Sequence, residues 1–118
     1  MNDKNTPKRG DVWVVDFSPA IGSEIRDPHP ALIVSVDDLN RSPWGLIVVC
    51  PISTSRKETP FRLHVLLAPP EGGIKHASII RCDQVKSVST KRFSGKWGEV
   101  KAATMQEVDY ILRKILGL

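Results

Sequence analysis

The chain has few of the residues that build metal sites or disulfide frameworks. Its 118 residues include only two cysteines and three histidines. Cys50 and Cys82 each lie inside an apolar run that is predicted to be a strand, and none of the cysteine and histidine spacings matches a zinc pattern. We therefore predict two small core cysteines in a reducing compartment, no metal site and no cofactor.

Long hydrophobic segments are also missing. The apolar runs at residues 31–36 and 46–50 are far too short to cross a bilayer, and no apolar signal core follows the polar N-terminus. The cytoplasm is therefore the expected location. Hydrophobic residues make up 41% and charged residues 25% of the sequence, which is ordinary for a globular protein. We predict a frayed N-terminus at residues 1–8 and one domain at residues 9–118.

Charge is mildly unbalanced, with 17 Lys and Arg against 13 Asp and Glu. The basic residues concentrate between Lys86 and Lys101, and Arg56 with Lys57 forms a second basic spot in a predicted turn. Two interpretations stay open. The basic residues can form a solvated surface, or they can form a footprint for a phosphate backbone.

Apolar periodicity predicts several short strands and then one helix. Strands are predicted at residues 11–17, 31–36, 46–52, 62–67, 78–88 and 97–100, with a loop at residues 18–29. Trp13, Val15 and Phe17 should share one face of the first strand. This pattern predicts a mainly β fold with a small, strongly curved, barrel-like sheet.

The C-terminal segment has a helical period. Its apolar stripe consists of Val108, Ile111, Leu112, Ile115 and Leu116. Thr104 and Glu107 match a capping box, and Gly117 suits the end of a helix. We predict a helix that covers the sheet or contacts a second copy of the chain.

Two opposite charges stand at the end of the apolar run at residues 78–80. Arg81 and Asp83 are two positions apart, so in an extended strand they would project from the same face. Such groups are seldom buried unless they are paired. The pair can be a structural ion pair, or it can be a site where the cation holds a phosphate and the carboxylate moves a proton.

Four ordered groups of segments carry a resemblance. They are Arg9-Gly10-Asp11-Val12-Trp13 with Asp16-Phe17-Ser18-Pro19, Gly22-Ser23-Glu24 with Pro30-Ala31-Leu32-Ile33-Val34-Ser35, Val48-Val49-Cys50-Pro51-Ile52-Ser53, and Arg81-Cys82-Asp83-Gln84. Together they resemble the PemK/MazF family of toxin endoribonucleases. The resemblance implies an SH3-like antiparallel β-barrel that forms a homodimer and cleaves single-stranded RNA without a metal, usually at a short sequence. It also implies a small antitoxin whose extended tail lies across the active groove and prevents growth inhibition.

Metal-free cleavage of RNA uses the 2′-hydroxyl of the substrate as the nucleophile on the adjacent phosphorus. The protein must supply a base for that hydroxyl, an acid for the departing 5′-oxygen and positive charge for the transition state. The expected products carry a 2′,3′-cyclic phosphate and a 5′-hydroxyl.

The resemblance assigns these roles to particular residues. Asp83 is the candidate base, and Arg81 is the candidate stabiliser of the phosphate, since a guanidinium matches phosphate geometry. Glu24 would position the RNA or a neighbouring catalytic group, and the Ser53 hydroxyl would hydrogen-bond the phosphate, with Thr54 as its substitute if the alignment shifts by one. The predicted RNA-binding residues are Ser23, Arg26, Thr54, Arg56, Lys57 and Lys86.

The sequence departs from the family at His29, where most members carry an arginine before the loop proline. Some members also have a histidine at the position of Ser23. Imidazole titrates near pH 6.5, so we predict His29 as a catalytic acid or base. The alternative is a loop residue pinned between Pro28 and Pro30 beside a weakened site.

A function of another class stays open. The chain can be a non-catalytic barrel module that binds nucleic acid, or a toxin with a protein target such as DNA gyrase. A pure nucleic-acid binder needs the basic patch but not the carboxylates, which repel phosphate. The joint presence of Glu24, Ser53, Arg81 and Asp83 therefore favours the enzyme.

Overall fold

The computed structural model describes residues 6–54 and 62–118. The described part consists of β1 (Asp11–Asp16), β2 (Pro28–Ile33), α1 (Asp37–Asn40), β3 (Leu46–Ser53), β4 (His64–Leu67), β5 (Ser78–Arg81), β6 (Lys86–Ser89), β7 (Phe93–Glu99) and α2 (Ala102–Leu116). Short 3₁₀ turns lie at Glu71–Gly73, Cys82–Gln84 and Thr90–Arg92. The predicted mainly β fold with a C-terminal helix is confirmed.

The strands form one antiparallel sheet in the order β4-β5-β3-β2-β1-β7, with β6 also paired to β3. β3 is the hub, because it pairs with β6 along residues 46–49, with β2 along 49–51 and with β5 at 52–53. Three partners along one strand require a strongly bent sheet. Among the described residues no pairing joins β4 to β7, so the sheet is open and the predicted barrel closure is not confirmed.

The two faces of the sheet carry separate apolar clusters, because side chains alternate along each strand. One cluster includes Leu32, Ile52 and Ile80 and packs against Val108 of α2. The other is built around Trp13, Val15 and Phe17, which share a face as predicted. Burial on both faces explains why β1 to β3 are apolar nearly throughout.

Helix α2 packs much as its periodicity predicts. Val108 is fully buried, and Ile111, Leu112 and Ile115 are partly buried against the same cluster. Leu116, the last residue of the predicted apolar stripe, is 58% exposed and does not pack against this cluster. Within the described residues no helix is long and apolar enough to cross a membrane.

The start of α2 differs from the predicted capping box. The helix begins at Ala102 after Lys101, two residues before Thr104. The Glu71 carboxylate accepts hydrogen bonds from the Lys101 backbone N–H, at 2.9 Å, and from the Thr104 hydroxyl. The cap therefore comes from a distant turn. Gly117, with a φ of 71°, ends the helix as predicted.

Two element boundaries near the predicted site also differ. β2 begins at Pro28, so His29 lies in a strand opposite Val15 and not in the predicted loop. The single strand predicted at residues 78–88 is interrupted by the turn Cys82–Gln84. These two changes determine how the candidate residues are presented.

The side chains of Cys50 and Cys82 are within hydrogen-bonding distance of each other. Both are free, fully buried thiols, as predicted for core residues. A hydrogen bond with Cys82, followed by burial, raises the pKa of the Cys50 thiol far above its ordinary value. The Cys50 thiol therefore stays protonated, and both cysteines pack as small core side chains.

Candidate active site

An open cleft of about 430 Å³ lies between the loop that joins β1 to β2 and the turn Cys82–Gln84. The loop contributes Ser23, Glu24 and Ile25, and the opposite wall contributes Arg81, Asp83, Gln84 and Lys86. Phe17, Pro51 and Val85 complete the lining. Five of the predicted site residues, Ser23, Glu24, Arg81, Asp83 and Lys86, therefore share one cleft.

Arg81 and Asp83 form a bidentate ion pair in this cleft. Arg81 Nε donates to Asp83 Oδ1 at 3.1 Å, and a terminal guanidinium nitrogen donates to Oδ2 at 3.0 Å. The predicted proximity is confirmed, but its predicted cause is wrong. β5 ends at Arg81, and the 3₁₀ turn, not strand alternation, brings Asp83 beside it. The two side chains are 23% and 25% exposed, so the pair faces the cleft while partly shielded from water.

The surroundings of Asp83 favour its ionised form. Partial burial raises the pKa of Asp83, but the hydrogen bond and charge of Arg81, together with the charge of His64, outweigh it and hold the pKa below its ordinary value. The carboxylate is therefore free of its proton at neutral pH. Its basicity is reduced while the bond to Arg81 is intact.

Gln84 ties the cleft loop to the opposite wall. Its Oε1 accepts the Ile25 backbone N–H at 2.7 Å, and its Nε2 donates to the Ser23 carbonyl at 3.3 Å. At the base of the loop, the Asp27 N–H donates to Ser18 Oγ at 3.0 Å. The loop is thus held at its base and at its middle.

Three charged residues predicted to act in this region differ in placement. Glu24 is exposed and lines the cleft, and its Oε1 accepts the Ile21 N–H at 2.8 Å. Arg26 belongs to the same loop but does not line the cleft, and its guanidinium donates to the Gly22 carbonyl at 3.0 Å. Lys86 lines the cleft, with its Nζ 5.8 Å from the centre of the Phe17 ring.

His29 and Ser53 do not line the cleft, although they lie on the same face of the sheet as Arg81. Ala31 pairs with Pro51, and His29 and Ser53 each lie two residues from that pair on their own strands, on the same face. Ser53 in turn pairs with Ile79, two residues before Arg81, and paired residues share a face. His29 Nδ1 lies 3.3 Å from the Asp27 carbonyl oxygen. Ser53 Oγ is buried and has no hydrogen-bond partner in the described part of the chain.

The remaining predicted RNA-binding residues lie elsewhere. Thr54 lines a separate hollow beside Lys75 and His76. Arg56 and Lys57 lie outside the described residues. Within residues 6–54 and 62–118, no group of three or more His, Cys, Asp or Glu side chains is arranged to hold a metal ion.

Comparison with known proteins gives a consistent result. Residues 8–116 match the family described as PemK-like, MazF-like toxin of type II toxin-antitoxin system. The chain is 34% identical over 116 residues to endoribonuclease MazF9 of Mycobacterium tuberculosis, covering 94% of this chain and 97% of that protein. The chain belongs to the PemK/MazF family.

Solved structures of family members have the same fold. MazF from Deinococcus radiodurans superposes with a TM-score of 0.81 at 28% identity, covering 96% of this chain and 98% of that one. An endoribonuclease from a mycobacterial species, solved in complex with its cognate antitoxin, gives a TM-score of 0.76 at 26% identity, covering 95% and 96% of the two chains. The similarity therefore extends over nearly the whole of this PemK/MazF chain.

Two residues of this PemK/MazF site were missed by sequence reasoning. Gln84 was noticed only as part of the Arg81-Cys82-Asp83-Gln84 segment, although its position directly after Asp83 was an available signal. His64 is one of the three histidines whose spacings match no zinc pattern, and no role is predicted for it from the sequence. It pairs with Arg81 across β4 and β5, and its Nε2 lies 3.2 Å from Asp83 Oδ1. That placement depends on strand register, which no local pattern along the chain reveals.

Proposed function

We propose that this chain is a metal-independent endoribonuclease that cleaves single-stranded RNA at a short sequence, as the toxin of a type II toxin–antitoxin pair. The observation that carries the proposal is the bidentate Arg81–Asp83 pair, which opens onto a cleft about 430 Å³ in volume. A phosphate-binding cation and a proton-accepting carboxylate are thereby held side by side. Membership of a family with endoribonuclease relatives supports the same function.

The reaction begins when the 2′-hydroxyl of the substrate attacks the adjacent phosphorus. Its proton passes to the Asp83 carboxylate, and the guanidinium of Arg81 stabilises the negative charge on the non-bridging oxygens. The bond from phosphorus to the 5′-oxygen then breaks, and that oxygen takes a proton from an acid. His29, which lies outside the cleft but on the same face of the sheet as Arg81, is the candidate for that acid. The products are a 2′,3′-cyclic phosphate and a 5′-hydroxyl.

The pairing of Arg81 with Asp83 makes the base responsive to the substrate. When Arg81 turns a donor towards an incoming phosphate, Asp83 loses a hydrogen bond that lowers its pKa. The basicity of the carboxylate therefore rises when RNA occupies the cleft. In the empty site, the same pairing keeps both charges satisfied.

The other predicted site residues support the Arg81–Asp83 pair or contact the RNA. Glu24, on the loop wall, positions the RNA or a neighbouring catalytic group. Ser53 remains a candidate phosphate contact on sequence grounds. Ser23, Arg26 and Lys86 contact the RNA from the loop and from β6. Thr54, and the basic residues Arg56 and Lys57, remain RNA-binding residues on sequence grounds.

We also infer the assembly and the setting of the toxin. The bent sheet, in which β3 has three partners, supports an SH3-like barrel, and we propose that the chain forms a homodimer. A related endoribonuclease has been solved with its cognate antitoxin. An acidic, partly disordered antitoxin segment should bind across this cleft and compete with RNA. A messenger RNA target implies action in the cytoplasm and inhibition of growth.

Incubation of the purified protein with a long RNA, with and without EDTA, tests this function. The proposal predicts discrete fragments whose pattern EDTA does not change and whose ends are a 2′,3′-cyclic phosphate and a 5′-hydroxyl. An Asp83→Ala preparation, purified in parallel, guards against contaminating nuclease. RNA binding without cleavage would favour the barrel-module alternative, and inhibition of DNA gyrase without RNA cleavage would favour a protein-directed toxin.

A further inference from the structure

His64 is a buried imidazole placed against the Arg81–Asp83 pair. It lies on β4 directly across from Arg81, and its side chain is only 9% exposed. Its Nε2 is 3.2 Å from Asp83 Oδ1, the oxygen that also accepts from Arg81 Nε at 3.1 Å. Neither ring nitrogen makes a well-aligned hydrogen bond within the described residues.

A buried polar group without a well-aligned partner is costly, so the position of His64 needs a reason. An apolar side chain at this site on β4 would cost less. The imidazole gains by facing the carboxylate, since either a neutral Nε2–H or an imidazolium can donate to Asp83 Oδ1. The short distance and the poor alignment show that the two groups are close but not hydrogen-bonded in this arrangement.

We infer that His64 is a positioning residue, which keeps the Asp83 carboxylate aimed at the substrate when Arg81 turns towards a phosphate. The inference rests on the proposed RNA cleavage. If Asp83 were held by Arg81 alone, the carboxylate would follow the guanidinium as it moved. His64 provides a second anchor from a different strand. His64 does not line the cleft, so it acts on Asp83 and not on the RNA itself.

Two substitutions that place an uncharged amide at position 64, glutamine and asparagine, distinguish the positioning role of His64 from simple packing. Glutamine at position 64 carries its amide nitrogen close to the place of histidine Nε2, whereas asparagine carries it close to the place of Nδ1. His64→Gln therefore keeps a donor facing Asp83, and His64→Asn removes it while remaining polar. Both variants are compared only after circular dichroism and thermal unfolding show equal folded fractions.

We expect His64→Asn to lower kcat for RNA cleavage roughly tenfold to a hundredfold with KM little changed, since misplacement of a catalytic group acts on the chemical step. His64→Gln should recover most of that loss. His76→Gln, at an exposed histidine outside the cleft, is the matched control and should cleave as the parent does. Equal kcat in His64→Asn and the parent, or no recovery in His64→Gln, overturns the inference.

A second measurement does not depend on cleavage. NMR titration of the Asp83 carboxyl group in the free protein should show its pKa moved upward in His64→Asn, because the charge of His64, which lowers that pKa, has been removed. An inactive parent protein would refute the proposed function and not this contact. In that case an unchanged Asp83 titration in His64→Asn overturns the inference.

Discussion

Gln84 accepts the Ile25 backbone N–H at 2.7 Å, across 59 residues of sequence. This bond links the loop wall of the cleft to the residue that follows Asp83. The second bond of Gln84, to the Ser23 carbonyl, holds the same loop at a neighbouring point. The spacing between the loop and the Arg81–Asp83 pair therefore depends on one side chain.

Replacing Gln84 should loosen the loop and leave the fold intact. In Gln84→Ala the Ile25 amide loses its acceptor, so its hydrogen exchange should become faster and KM for RNA should rise several-fold. Gln84→Glu keeps an acceptor for the Ile25 N–H and loses only the donor to the Ser23 carbonyl. The Ile25 amide should therefore exchange more slowly in Gln84→Glu than in Gln84→Ala. Equal exchange at Ile25 in the parent and in Gln84→Ala would show that the bond does not hold the loop.

Removing either member of the Arg81–Asp83 pair should abolish most activity. Arg81→Ala and Asp83→Asn should each lower cleavage by roughly two or more orders of magnitude, as loss of a charge-stabilising or proton-transferring group commonly does. The Asp38–Arg41 surface ion pair, 3.1 Å long and away from the cleft, offers a matched control in Asp38→Asn. If Asp83→Ala unfolds the protein while Asp83→Asn remains fully active, the pair is structural.

If His29 donates the proton, it should contribute to the pH dependence of the cleavage rate. As the acid for the 5′-oxygen it must be protonated, so the rate should fall on the alkaline side of its ionisation. His29→Ala should be slower and should lack that limb of the pH–rate profile. His29→Arg restores the group most common in the family and should retain more activity than His29→Ala. A His29→Ala profile that overlays the parent at equal rate would reduce His29 to a strand residue.

Glu71 should stabilise the protein by capping α2. Removing the acceptor in Glu71→Ala should lower the free energy of unfolding by about 1 kcal/mol, as loss of other helix caps does. Glu107→Ala, in the capping box that the structure does not form, is the control and should change it little. Chemical denaturation of both variants at neutral pH makes the comparison.

The same carboxylate gives stability a defined dependence on acid. Partial burial raises the pKa of Glu71, but its bonds from Thr104 and Lys101 outweigh this and lower it. A carboxyl group with a lowered folded-state pKa contributes stability above its unfolded value and loses it as the pH falls through the folded value. Unfolding free energy should therefore drop below about pH 4.5 less steeply in Glu71→Gln than in the parent. Parallel pH curves for the two proteins would contradict this.

Local pattern was sufficient for much of the fold. Alternation predicted the shared face of Trp13, Val15 and Phe17, and the helical period predicted α2 with its end at Gly117. Both patterns depend on near neighbours along the chain. The capping box failed because Glu71, which lies 30 residues before Lys101, supplies a better acceptor.

Some residues of the candidate site were predicted from the sequence, and others were missed. Family resemblance placed Arg81, Asp83 and Glu24, which the fold brings into one cleft. The contacts of Gln84 and His64 depend on which strands pair and in what register, which no local pattern specifies. The strand position of His29 was missed because Pro28 and Pro30 suggested a loop, although proline is tolerated in edge-like and terminal strand positions.

Attack by the substrate's own 2′-hydroxyl is the central claim, and one substitution in the RNA tests it directly. A short RNA containing a mapped cleavage site is compared with the same RNA carrying a single 2′-deoxy nucleotide on the 5′ side of the scissile phosphate, both in EDTA. We predict that the all-ribose RNA is cleaved and that the deoxy RNA binds with similar affinity but is not cut. Cleavage of the deoxy RNA at the same bond and rate would contradict the mechanism.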